Sequence, residues 1–185
     1  LDPDGSSVKA LSSKALASLD GKFNLEGYPS HYSDVAAVMV LDHQVRMTNL
    51  LTRVGWETRV ALNQQTRNPR EKEAVERLIA ADARELVDYM LFVDEAVLPG
   101  RFKSTSEFPT KFAEAGPRDR AGRSLRQLDL TKRLFRYPCS YMVYSRAFDQ
   151  LPGAAKDAVY SRLWSILSEK EKSSKYAKLS RADRA

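Results

Sequence analysis

One cysteine in 185 residues, Cys139, removes two classes of protein at the outset. A disulfide framework needs pairs of cysteines, and a thiolate zinc cage needs several. Cys-x-x-Cys-His, the signature of covalent haem attachment, is absent as well. No apolar run approaches the roughly 20 residues that span a bilayer. No charged-then-apolar leader of the kind that directs secretion is visible. Gly-rich phosphate loops, His-Glu-x-x-His zinc helices and Gly-x-Ser-x-Gly nucleophile elbows are all missing. No convincing strand pair can be found: Val38-Met39-Val40-Leu41 is apolar enough for a buried strand, but it sits inside a longer helical period. Histidine occurs twice, at His31 and His43. The chain opens on Leu1 rather than methionine, so removal of an upstream segment is expected.

What is present reads as one helical domain. Hydrophobic residues make up 43% and charged residues 29%, a globular balance in a chain long enough for a real core. The net charge of +6 is unevenly spread. Residues 1–100 carry 11 basic and 15 acidic side chains, whereas residues 101–146 carry 11 basic and 4 acidic.

The segment 33–62 places Ala36, Val40, His43, Met47, Leu50 and Val54 on one helical face. Ser33 is its expected N-cap, with Asp34 near the positive end. Gly55 interrupts it and leaves room for a close neighbour. A second helix is expected over 69–97. It starts at Asn68-Pro69 with Glu71 completing a capping box, and Pro99-Gly100 stops it. The connection is short, so the two helices should form an antiparallel hairpin. Before them, residues 1–29 read as an irregular leader with one short helix over 7–19. After them, residues 100–118 read as a loop with at most one short turn, pinned by Phe102, Phe108 and Phe112. Helices are expected again over 120–137, 141–148 and 152–168. Residues 169–185 read as a polar C-terminal tail, in which Ser180 and Asp183 have the spacing of a capping box. The fold class is therefore all-α: a helical bundle built on a long hairpin, with one domain over 30–168.

Four places carry chemistry. His43 points where the core should be, and a buried imidazole must be bonded, paired or ligating. Met90 falls opposite it in the hairpin register, with Met47 nearby, so His43, Met47 and Met90 are a candidate haem-binding set. The plainer reading is a core histidine bonded to a carbonyl, to Asp94 or to water. Asp82 interrupts an apolar face, and a buried pair with Arg53 explains it better than a catalytic acid working with Glu85 or Asp94. Cys139 has Arg136 near in sequence but no histidine, and reads as a half-buried thiol. The arginine-rich segment 118–136, with Arg120, Arg123, Arg126 and Arg133, has the chemistry of an anion or nucleic-acid grip. It can equally pair with the acidic first half of the chain, which is the favoured reading. No metal site is expected.

Two stretches carry a resemblance. One runs from Ser33-Asp34-Val35 to Leu41-Asp42-His43-Gln44. The other is Arg133-Leu134-Phe135-Arg136-Tyr137-Pro138-Cys139-Ser140-Tyr141-Met142-Val143-Tyr144-Ser145, followed by Ala147-Phe148-Asp149 and Val159-Tyr160-Ser161-Arg162-Leu163-Trp164. Together they resemble the carboxy-terminal region of uncharacterised bacterial exported, cytochrome-associated proteins. The resemblance implies a bacterial origin, a larger parent chain and export to the periplasm. It carries no activity and no catalytic residues. The functional expectation is a non-enzymatic docking or scaffold module, whose partner is another domain of the parent protein or a periplasmic protein. The alternatives are a haem-binding or redox-associated domain and a nucleic-acid binder.

Overall fold

Asp34, itself extended, starts the longest helix: its carboxylate accepts from the Ala36 and Ala37 amides. The cap is thus Asp34 itself, one residue beyond the expected Ser33, and is worth about 1 kcal/mol. The computed structural model describes residues 34–98, 100–102, 104 and 106–184, with isolated positions 21, 24, 26 and 27 before them. The short helix expected over 7–19, Ser33 and His31 lie outside the described residues.

Helix α1 is Val35–Arg67 and α2 is Lys72–Met90, joined through a 3-10 turn at Pro69–Glu71. The Asn68 side chain accepts from the Arg70 amide and donates to Glu71 Oε1. Pairings descend along α2 as they rise along α1. His43 meets Tyr89, Arg53 meets Glu85, and Ala61 packs with Val75 and Ile79. Helix α3 is Phe108–Glu114, α4 is Arg146–Asp149 and α5 is Gly153–Leu167. The long α5 packs mainly across α2. The protein is all-α; among the described residues there is no strand, only an isolated bridge between Leu128 and Phe135. No described helix is long and apolar enough to cross a membrane.

Helix α1 runs on to Arg67, past its expected end at 62, and three further expectations fail for physical reasons. The second long helix stops at Met90, not 97. Phe92 takes a left-handed conformation (φ 53°), and the amides of Phe92 and Val93 bond back to Tyr89 and Asp88. This is a Schellman stop, whose left-handed residue is usually glycine and here is phenylalanine. The helix expected over 120–137 is irregular instead. Asp119 takes the amides of Ala121 and Arg123, and Asp129 takes that of Thr131. Short polar side chains here outcompete the helical ladder. Conversely, residues 108–114 form α3 where a loop is expected, with Phe108 and Phe112 stacked and packed on the core.

The polar tail is a docked segment. Tyr176 is only 2% exposed and Leu179 is also buried. The Tyr176 hydroxyl donates to Asp88 Oδ1 at 2.5 Å and accepts from Arg162 Nη2 at 2.8 Å. Lys175 bonds the other Asp88 oxygen at 2.8 Å. The Ser180–Asp183 capping box does form, its two residues exchanging side-chain-to-amide bonds. Arg133 then clamps Asp183 at 2.7 Å.

Candidate functional site

The amphipathic period that buries Val40, His43, Met47 and Leu50 leaves Val38, Met39, Asp42 and Arg46 beside the contact with α2. Because α2 ends at Met90, the chain turns and lays residues 92–98 along that contact. The result is a groove of about 840 Å³ between α1, α2 and the 92–98 segment. Its walls are mostly apolar: Val38, Met39, Ala81, Phe92, Val97 and Leu134. A second cavity of about 600 Å³ lies against the other side of the 92–97 segment.

His43 forms part of the groove floor and is 4% exposed. Four aromatic rings surround it: Tyr89 stacked at 5.3 Å, Phe92 at 4.9 Å, Phe135 at 5.4 Å and Tyr141 at 6.0 Å. Its Nε2 lies 2.7 Å from Ser140 Oγ. Ser140 Oγ also accepts from the Met142 amide. Burial pushes the imidazole down to about 4, with Asp42 opposing.

This geometry does not fit a haem ligand. The imidazole nitrogen an iron would need is bonded to Ser140, and aromatic rings pack round the ring. Met47 and Met90 are fully buried in the apolar core. Met90 reaches the histidine's partner through its backbone, its carbonyl accepting from the Ser140 amide at 2.8 Å. Among the described residues no His, Cys, Asp or Glu cluster has the arrangement of a metal site.

Asp82 does not make the expected ion pair with Arg53. Arg53 Nη2 donates to Glu85 Oε2 at 2.6 Å instead. Asp82 faces Glu57 across the helix pair, and its Oδ2 is buried without a protein partner. Burial first, and then the Glu57 carboxyl, push Asp82 up to about 6. A carboxyl raised above its ordinary 3.8 favours the protonated fold. It weakens the protein above pH 6, and that handicap disappears as pH falls toward 3.8. Asp82→Asn is therefore expected to stabilise the protein at pH 7 by about 1 kcal/mol, after screening at this half-exposed site. The gain should vanish near pH 3.5. Urea unfolding at both pH values checks it; a loss at pH 7 would contradict the assignment.

The arginines do not form one stripe. Arg123 bonds Asp119 at 2.6 Å, and Arg133 bonds Asp183 and the Arg136 carbonyl. Arg126 lies over Phe112 at 5.1 Å and Tyr141 at 5.0 Å, above a Gly116 whose added Cβ would meet its Cδ at 2.7 Å. Arg120 is exposed. These arginines make separate contacts: the bonded carboxylates Asp119 and Asp183 lie in the chain's second half, while Arg133 also acts on Glu95 in the acidic first half. Burial pushes the Cys139 thiol up to about 11, far from a reactive thiolate.

Sequence reasoning placed Tyr89 in the layer of His43, as found, but missed Ser140 and Phe92 as the histidine's neighbours, and with them the groove. Ser140 signals only a local cap; nothing in its surroundings marks a bond to a residue 97 positions away. Comparison with protein-family models, curated proteins and solved structures finds no match.

Proposed function

We propose that this domain is a docking module, and that the groove between α1, α2 and residues 92–98 is where it takes an apolar segment of its partner. The observation that carries the reading is the groove itself: about 840 Å³ of mainly apolar space on a half-solvated helix pair. The groups with chemistry near it support binding rather than turnover. His43 is committed to Ser140. Asp88 is committed to Lys175 and Tyr176. The sequence resemblance would make the partner another domain of a larger exported bacterial protein, or a periplasmic protein.

Nile red, a neutral dye that brightens in apolar surroundings, tests the groove. The protein is expected to bind it saturably with one-to-one stoichiometry. Ala81→Arg and Ala96→Arg place a charged side chain in the groove from exposed or loop positions and should abolish the signal with unchanged circular dichroism. Leu41→Arg, an exposed position on α1 outside the groove, should leave it intact. Binding that survives both groove substitutions would overturn the reading.

A further inference from the structure

We infer that the occupant of the groove is a cationic amphipathic helix; the inference rests on the docking reading and adds the partner's charge. The chain as a whole carries +6. The groove reverses that sign. Its lining contains five carboxylates, Asp42, Glu85, Asp88, Asp94 and Glu95, against the three cations Arg46, Arg84 and Lys175. Two of the carboxylates have strong partners: Glu85 is bonded to Arg53, and Asp88 to Lys175 and Tyr176.

The others line the groove from α1 and from the segment after α2, where Glu95 accepts from the Leu134 amide. Asp42 stands on the second turn of α1, and Asp94 and Glu95 on the segment that leaves α2. Asp94 is 84% exposed, with Lys175 at a loose 3.7 Å. Arg46 lies over the Tyr89 face at 4.9 Å, so its charge is already directed at a ring. A low-dielectric wall beside like charges focuses their field into the cleft. A partner helix with an apolar stripe for Met39, Ala81 and Val97, and lysines flanking it, satisfies both walls. An acidic helix would add repulsion to the desolvation of Asp42 and Asp94.

Two synthetic helical peptides of about 14 residues test this. They share a leucine stripe at every third and fourth position; one has lysine and the other glutamate at the flanking positions. Binding to the whole protein is read by fluorescence anisotropy at low salt. The lysine peptide is expected to bind about tenfold or more tighter, with the advantage falling as salt rises. Asp42→Asn combined with Asp94→Asn should remove most of the difference; both positions are exposed, and the Nile red signal reports that the groove survives. Equal affinities, or preference for glutamate, would overturn the charge inference and leave the docking reading standing. If neither peptide binds while the dye does, the docking of helices falls with it.

Discussion

His43→Ala is expected to destabilise the protein by about 3 kcal/mol at pH 7, the cost of a ring-sized cavity and an orphaned hydroxyl. The imidazole fills the space between α1 and α2 and touches four aromatic rings. The Ser140 hydroxyl, fully buried, would lose its imidazole partner. The pH dependence gives a second reading of the same site. The folded pKa of about 4 lies below the ordinary 6.5, so the folded state favours the neutral ring. The resulting stability is fully present above 6.5 and is lost as pH falls through the interval to 4. The loss should approach about 3 kcal/mol, following from the size of that shift. His43→Ala should flatten that part of the profile. NMR titration of the ring with urea unfolding between pH 7 and 4 measures both effects. A ring that titrates near 6.5 would place His43 in solvent and undo the packing argument.

Tyr176→Ala is expected to be costlier still, about 4 kcal/mol. It removes a fully buried aromatic side chain, and it strips Asp88 of its shortest hydrogen bond in a site shielded from water. Tyr176→Phe isolates the hydroxyl. It keeps the packing, breaks the bonds to Asp88 and Arg162, and should cost about 2 kcal/mol. Pairing Tyr176→Phe with Asp88→Asn should be less than additive, because both substitutions remove one shared bond. Thermal or urea unfolding of the three variants decides it. Strict additivity would mean that the hydroxyl and the carboxylate do not act as a unit.

Which parts of this architecture were legible in the sequence follows from range. Helix α1, the Asn68 start and α5 are encoded by neighbours three and four residues apart, and a sequence displays those spacings directly. The burial of His43 was legible for the same reason. Its partner was not, because Ser140 arrives through tertiary packing. The end of α2 was hidden by chemistry: a left-handed Phe92 stands where glycine would have announced the stop. The segment 120–137 misled because leucines and arginines at helical spacing say nothing of Asp119 and Asp129 capturing nearby amides. Polarity misled in the final residues. Lysines and serines there look solvated, yet Lys175 and Tyr176 anchor them to Asp88 of α2. The groove is the least legible feature, since it exists only where two helices and a turned-back segment leave a space.

The bond from Tyr176 to Asp88 also sets an order of events during synthesis. Its two residues are 88 positions apart, so a ribosome making about 5–20 residues per second leaves Asp88 waiting roughly 4–18 s for its partner. Throughout that interval α2 emerges with an unmatched carboxylate on the face it must later bury. The nascent helices can associate loosely, but closing that face before Tyr176 arrives would strand a charge away from water. A polypeptide halted before residue 174, lacking both partners of Asp88, should therefore be more accessible to proteases than the full chain.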